Sequence, residues 1–163
     1  MKYNNDIYGF MSIIELEWLY DTALNMNSII EIGTFEGRST FSLLTACKGL
    51  VYSIDAYDKK FATNNNLINM INNIAHFDNF RFLKMCNEEA VKYFEDNSID
   101  MVFIDADHTY EAVKYDIERW LPKTIKLICG HDYNDPGHPG VKQAVDEKFK
   151  DVEVIDTIWF KKL

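Results

Sequence analysis

The feature that most constrains the fold is a regular alternation of strand-like and helix-like segments along the 163 residues. Short apolar runs bounded by turn residues predict strands at 28–32, 51–55, 80–83, 99–104 and 125–129. Apolar residues at helical spacing predict helices at about 12–26, 38–48, 64–75, 87–95, 110–121 and 139–149. Two further β-rich pieces, 152–156 and 158–161, predict a closing hairpin. This alternation predicts an α/β three-layer sandwich around a mainly parallel sheet, formed by one domain over residues 1–163.

Net charge indicates which partners the chain can bind, and cysteine content indicates the compartment in which it folds. Asp and Glu number 26 against 17 Lys and Arg, which gives a net charge of −9. This excess of acids argues against binding to nucleic acid or to an anionic membrane, because both need clustered Lys and Arg. The chain has no apolar run long enough for a membrane span and no apolar signal-peptide core near its N-terminus. Three widely spaced cysteines fit a reducing compartment, so we expect a cytoplasmic protein.

The chemistry should lie where the predicted strands end. In an open α/β sheet, ligands bind at the carboxyl ends of the strands, near the point where the strand order reverses. Those ends carry Gly33 and Gly37, then Asp55, then 105–108 (Asp-Ala-Asp-His), then 131–132 (His-Asp). A carboxylate next to a buried strand is costly unless it binds something. We therefore expect a ligand site at this edge.

Gly33 and Gly37 predict a tight turn that a ligand can approach closely, although a plain β-α turn is the alternative. The spacing lacks the third glycine of the dinucleotide fingerprint. Asp55 follows the second strand, as an acid that binds ribose hydroxyls does, although a turn or helix-cap role is also open. The acids Glu31, Glu36 and Asp105 would repel a pyrophosphate and tolerate a sulfonium, which favours S-adenosylmethionine (SAM) over NAD.

The stretch from Ile30 to Thr40 resembles motif I of class I SAM-dependent methyltransferases. The sequences 104–110, 131–133 and 139–141 resemble a branch of small metal-dependent O-methyltransferases that includes sugar O-methyltransferases. The resemblance implies a Rossmann-like fold with a seven-stranded, mainly parallel sheet, and residues 1–27 as an N-terminal helical cover that includes Phe10 and Trp18. It also implies methyl transfer to a hydroxyl oxygen of a small molecule, with a sugar as one acceptor class.

The resemblance also implies roles for individual residues. Motif I would contact the methionine part of SAM through Glu31, Gly33, Thr34, Phe35, Gly37 and Ser39, with Ser39 at the carboxylate. Asp55 would hold the ribose, and Cys86 or Asn87 would lie beside the adenine. Asp105 would lie near the sulfonium and would also hold a divalent metal with Asp132 and Asp107.

The residues themselves give a separate case for the metal and for a base. In the usual strand order of this fold, the fourth and fifth strands are neighbours, so Asp105 and Asp132 would face each other and suit Mg²⁺. Helix capping and solvated loop positions are the alternatives, above all for Asp107. His131 and His108 follow strands at the same edge, and either could take a proton from a hydroxyl or serve as a structural histidine.

The sequence therefore predicts a Mg²⁺-assisted SAM-dependent O-methyltransferase that acts on a small molecule. Two other functions stay open at this stage. One is a SAM-binding module without activity, which would serve as a partner subunit. The other is an enzyme that binds an NAD-type dinucleotide. The oligomeric state cannot be read from the sequence.

Overall fold

A computed structural model describes residues 1–58 and 62–163. The strands are β1 (Ser28–Ile32), β2 (Leu50–Ile54), β3 (Phe80–Leu83), β4 (Ile99–Ile104), β5 (Thr124–Gly130), β6 (Glu153–Ile155) and β7 (Ile158–Lys162). The α-helices are α1 (Ile13–Ala23), α2 (Arg38–Ala46), α3 (Asn64–Ile74), α4 (Asn87–Ala90), α5 (Tyr110–Trp120) and α6 (Pro139–Lys148). The predicted alternation of strands and helices is confirmed.

The sheet has seven strands in the order β3-β2-β1-β4-β5-β7-β6. The five strands from β3 to β5 in this order pair in parallel, whereas β7 is antiparallel to both β5 and β6. The predicted mainly parallel sheet and its closing hairpin are therefore confirmed. The strand order reverses between β1 and β4, which is where an open α/β sheet forms its ligand crevice.

Apolar side chains alternate between the two faces of the sheet and form two cores. Ile29 on β1 and Phe103 on β4 pack under α1, α2 and α3 on one face. Ile30 on β1 and Val102 on β4 pack under α4, α5 and α6 on the other. Strands covered on both faces are mostly apolar, and β4 has six consecutive buried residues, of which Asp100 alone is charged.

The chain departs from the predicted elements in two places. The helix predicted over 87–95 is α4 followed by a 3-10 turn, Val91–Tyr93, because Phe94 leaves the helical conformation. The Phe94 ring packs against Tyr52 and Trp120, and the extended backbone at Phe94 accompanies this contact. The first helix ends at Ala23, three residues before the predicted end. Its predicted start is confirmed, since Ser12 and Glu15 cap each other's backbone.

None of the helices within residues 1–58 and 62–163 combines the length and the apolar character that a bilayer span requires.

Candidate active site

The register of three strands brings the functional side chains to one edge of the sheet. Ile32 pairs with Ile104, and Ile104 pairs with Gly130. The next residues along these strands are Gly33, Asp105 and His131, so Gly33 and His131 lie on either side of Asp105. Two backbone hydrogen bonds continue the ladder past these ends, from Asp105 N to the Ile32 carbonyl (2.8 Å) and from His131 N to the Ile104 carbonyl (3.1 Å).

The turn after β1 needs glycine at two positions. Gly33 has φ +91° and Gly37 has φ +86°, in the left-handed region that side chains rarely adopt. A Cβ on Gly33 would come within 1.9 Å of the Asp105 carbonyl oxygen. A Cβ on Gly37 would come within 2.8 Å of Ile74 Cδ1. Gly33 therefore allows β1 and β4 to approach each other closely where they end.

Asp55 fixes the conformation of this turn by accepting hydrogen bonds from backbone N–H groups. Its Oδ2 accepts hydrogen bonds from the backbone N–H of Thr34 (3.0 Å) and of Phe35 (3.1 Å). Its Oδ1 accepts one from the backbone N–H of Tyr57 (2.9 Å). A carboxylate has about four lone-pair positions, so Asp55 retains capacity for a ligand hydroxyl.

Glu31 lies beneath the turn, fully buried. Its carboxylate accepts hydrogen bonds from Ser39 Oγ (2.6 Å), Thr40 Oγ1 (2.5 Å) and Ser53 Oγ (2.9 Å). Burial raises the pKa of Glu31 to about 7, although these three donors oppose the shift. Glu31 thereby ties β1 to the first turn of α2 and to β2, and it holds Ser39 in place.

A cleft of about 640 Å³ opens at this edge. We call it the edge cleft. Most of the residues proposed from the sequence line it: Gly33, Thr34, Phe35, Ser39, Asp55, Cys86, Asn87, Asp105, Asp107, His108, His131 and Asp132. Glu31 and Gly37 do not line the edge cleft. Glu31 supports the turn by accepting the hydrogen bond of Ser39, and Gly37 supplies its left-handed conformation.

The N-terminal region borders the edge cleft through extended chain. Gly9, Phe10 and Met11, which precede α1, line the cleft, whereas Trp18 on α1 packs against Phe160 with ring centroids 4.8 Å apart. The cover proposed for residues 1–27 is thus helical only from Ile13.

Arg38, in the first turn of α2, holds this extended segment. Its guanidinium donates to the backbone carbonyls of Ile7 (2.7 Å) and Met11 (3.2 Å), and at 3.4 Å to that of Asn5. Arg38 itself lines the edge cleft. The segment that walls the cleft is therefore anchored to the same helix that follows the glycine turn.

The far end of the edge cleft contains a buried polar chain. Trp120 Nε1 donates to Asn87 Oδ1 (2.6 Å), and Asn87 Nδ2 donates to Asp116. Burial raises the pKa of Asp116 to about 7, against the lowering effect of the Asn87 hydrogen bond. This chain orients the Asn87 amide, whose residue lines the cleft.

Because the pKa of Asp116 is raised, the folded chain binds a proton that the unfolded chain has already lost between about pH 4 and 7. The free energy of unfolding therefore falls as the pH rises through this range. We expect Asp116→Asn to remove this fall and to stabilise the protein above pH 7 by roughly 1–3 kcal/mol. Urea unfolding at pH 5 and pH 8 measures it, with Asp151→Asn at an exposed position as the charge control. Equal pH dependence in wild type and Asp116→Asn would contradict the prediction.

His131 is buried among three carboxylates. Its Nε2 lies 3.2 Å from Glu15 Oε1, and its Nδ1 lies 3.2 Å from Asp132 Oδ1 and 3.5 Å from Asp105 Oδ1. Burial disfavours the charged ring, but the three carboxylates prevail and raise the pKa of His131 to about 12. They make His131 a fixed positive charge, which is a poor general base. Its role as a base stays a prediction from sequence that this arrangement does not favour.

His108 faces the edge cleft between two carboxylates. Its Nε2 lies 3.4 Å from Asp105 Oδ1 and 3.2 Å from Asp132 Oδ2. Burial lowers the pKa of His108, but the two carboxylates raise it overall. The side chain is 27% exposed, so an acceptor molecule can reach it. Of the two histidines proposed as a base, His108 is the accessible one.

The structure brings two of the three proposed metal ligands together. Asp105, His131 and Asp132 present oxygen and nitrogen atoms within 4.8 Å of one another, and so do His108, Asp132 and His138. Within the described ranges, Asp107 belongs to neither group. Its Oδ1 accepts the backbone N–H of Thr109 at 3.0 Å, and Thr109, not Asp107, is the N-cap of α5.

Sequence reasoning missed several residues that support the site. Glu15 caps α1, and its Oε1 also accepts from Thr157 Oγ1 (2.6 Å) and contacts His131. Three asparagines on α3, at positions 66, 69 and 73, hold Glu36 in the glycine turn by bonds of 2.8–3.0 Å. Their spacing of three and four residues, which puts them on one face of a helix, was a signal available in the sequence.

Comparison with known proteins agrees with this geometry. Residues 30–133 match the model of a methyltransferase domain family. The match covers more than half of the chain, so the chain belongs to this methyltransferase family. A curated relative, the uncharacterised protein y4gI of Sinorhizobium fredii, is 29% identical over an alignment of 136 positions that covers 71% of this chain. The chain spans only 14% of that protein's length.

Solved structures with the same fold include several methyltransferases. An O-methyltransferase from Bacillus cereus, in complex with S-adenosylhomocysteine (SAH), matches with a TM-score of 0.72 and 17% identity, over 95% of this chain and 83% of that one. TomG, an O-methyltransferase from Streptomyces achromogenes in complex with SAM, matches with a TM-score of 0.67 and 18% identity, over 96% and 81% of the two chains. The chain thus has the class I SAM-dependent methyltransferase fold.

Proposed function

We propose that this chain transfers a methyl group from SAM to a hydroxyl oxygen of a small molecule. The observation that carries the proposal is the register that puts Gly33, Asp105 and His131 side by side at the strand-order reversal. It joins a glycine turn suited to a cofactor with acids and histidines suited to an acceptor. The edge cleft is acidic, which disfavours the pyrophosphate of NAD and tolerates the sulfonium and ammonium of SAM.

The chain contributes position and electrostatics to this reaction. The glycine turn and Asp55 would hold the amino-acid and ribose parts of SAM, and Asn87 would lie at the adenine. The methyl carbon leaves the sulfur of SAM and bonds to the acceptor oxygen, so SAH is released. His108 would take the hydroxyl proton at Nδ1, because its Nε2 donates to the carboxylates of Asp105 and Asp132, which would stabilise the resulting imidazolium.

A sugar or other polyhydroxy compound is the acceptor class that we propose. The acceptor end of the edge cleft presents carboxylates and imidazoles, namely Asp105, Asp132, His108 and His138. Such groups suit several neighbouring hydroxyls, because each hydroxyl can donate one hydrogen bond and accept others. A screen of polyhydroxy acceptors with labelled SAM would show transfer if this assignment is correct.

Mg²⁺ assistance is part of the proposal. Asp105 and Asp132 would supply oxygen ligands, and three carboxylates around His131 leave a net negative charge that attracts a cation. Mg²⁺ bound there would lower the pKa of the acceptor hydroxyl. We expect removal of divalent cations with EDTA to lower transfer at least about tenfold while SAH affinity stays within about twofold. Full activity in excess EDTA would contradict this part.

Calorimetry with SAH tests the cofactor assignment directly. We expect Asp55→Ala to weaken SAH binding by about 10- to 150-fold, because the variant loses roughly 1.5–3 kcal/mol from charged hydrogen bonds. Asp151→Ala, at an exposed position outside the cleft, serves as the control. Binding of NAD with no response to SAM or SAH would overturn the assignment, and binding of SAH without transfer to any acceptor would leave the SAM-binding module as the function.

A further inference from the structure

A second group of donor atoms lies at the outer end of the edge cleft, and the proposed methyl transfer does not account for it. His108 Nε2 lies 3.2 Å from Asp132 Oδ2, and His138 Nδ1 lies 3.6 Å from the same oxygen. The centroids of the two imidazole rings lie 4.3 Å apart, and the ring planes are tilted by 60°. Two histidines from different loops thus converge on one carboxylate oxygen.

The spacing of these atoms is that of a metal coordination sphere. Zinc binds histidine nitrogen and carboxylate oxygen at about 2.0–2.2 Å, so tetrahedral ligand atoms stand about 3.3 Å apart. The distances from Asp132 Oδ2 to His108 Nε2 (3.2 Å) and to His138 Nδ1 (3.6 Å) lie on either side of that value. Two imidazole nitrogens with one carboxylate suit zinc or another d-block cation better than Mg²⁺, which prefers oxygen ligands.

Two independent features point to a ligand here. The Nδ1 atom of His138 is buried and makes no well-aligned hydrogen bond within the described ranges, although the carboxylates of Asp135 and Asp132 lie 3.3 and 3.6 Å away. A buried polar atom without a partner is costly unless something binds it. Asp132 also has φ +62°, an uncommon conformation for a residue other than glycine, which costs free energy and is concentrated at functional sites.

We propose that His108, Asp132 and His138 bind a d-block divalent cation, of which Zn²⁺ is the model, at the outer end of the edge cleft. The site differs from the Asp105–Asp132 pair in taking two nitrogen ligands. The two sites share Asp132, so one cation there excludes or weakens the other. A cation on Nε2 of His108 also makes the ring a weaker base and so opposes its role as proton acceptor. This last consequence, unlike the binding itself, rests on the proposed function.

Cobalt is the probe for the test, because Co²⁺ takes zinc sites and absorbs visible light when tetrahedral. The purified wild-type chain is titrated with Co²⁺ without SAM, and Zn²⁺ is then added to displace it. We expect saturable visible absorbance that Zn²⁺ abolishes. His108→Ala and His138→Ala should each weaken Co²⁺ binding at least about tenfold. His138→Gln, which keeps a polar side chain, should weaken it similarly.

The control is His76→Ala, since His76 is exposed and packs beside Phe77 on another part of the molecule. It should bind Co²⁺ as the wild type does. Equal affinity in wild type and both His138 variants, with thermal unfolding showing all of them folded, would overturn the proposal. Loss of binding in Asp105→Asn but not in His138→Ala would also overturn it, because the cation would then belong to the inner group. Since SAM is absent, the result is independent of whether the chain transfers methyl groups.

Discussion

Gly33→Ala is expected to weaken SAH binding at least about 100-fold and to lower the free energy of unfolding by several kcal/mol. The added Cβ would lie 1.9 Å from the Asp105 carbonyl oxygen, and a φ of +91° strains any side chain. The two ends of β1 and β4 would have to separate, and the edge cleft lies between them. Calorimetry with SAH and urea unfolding measure the two effects.

Gly137→Ala is the matched control for this substitution. A Cβ on Gly137 meets only the exposed Asp135 side chain, at 3.2 Å, so this variant should fold and bind SAH nearly as the wild type does. Wild-type affinity and stability in Gly33→Ala would mean that the close approach of β1 and β4 is not required for the site.

His108→Ala should lower the rate of methyl transfer by about 10²–10⁴ and leave SAH affinity within about twofold. The reason is that His108, and not the enclosed His131, is accessible to the acceptor. Turnover with a working acceptor gives the rate, and calorimetry gives the affinity. Added imidazole should restore part of the rate in His108→Ala, because the side chain it replaces is 27% exposed.

His131→Ala separates the two histidines. His131 is only 7% exposed and lies against Glu15, Asp105 and Asp132, so its loss should lower both stability and rate without rescue by imidazole. Rescue of His131→Ala, with unchanged turnover in His108→Ala, would exchange the proposed roles of the two residues.

Most of the fold could be predicted because burial on both faces leaves a strong pattern. The bounds of β1 and β3 agree with the sequence prediction to the residue, since each is a short apolar run between polar turns. The prediction of a single helix over 87–95 was wrong, because apolar spacing cannot distinguish an α-helix from a short 3-10 turn. Here the 3-10 turn ends at Phe94, whose backbone is extended. Tertiary packing decided that segment.

The sequence could predict the site residues that follow strands, but not those that tertiary packing brings to the same place. Asp55, Asp105 and Asp132 follow strands directly, so topology alone places them at one edge. Glu15 and His131 are separated by 116 positions in sequence, and their contact depends on how α1 packs, which no local pattern records. The position of His138 depends on the turn after Asp135, where its backbone N–H bonds to the Asp135 carbonyl at 3.0 Å.

The anchoring of the N-terminal segment has a consequence for how this cleft can change. Arg38 holds residues 5, 7 and 11 by their backbone carbonyls and uses none of their side chains. Tyr8 and Phe10 are 59% and 79% exposed. Substitutions there can therefore change the outer wall of the edge cleft, meaning the surface of the N-terminal segment, while the backbone path of that segment stays fixed. Both rings also pack against Phe35 in the glycine turn, with centroids 5.8 and 5.9 Å from its ring, but the backbone hydrogen bonds that Asp55 accepts from Thr34 and Phe35 need neither ring. Evolution or design can thus diversify what the outer wall contacts without rebuilding the part of the molecule that fixes the turn.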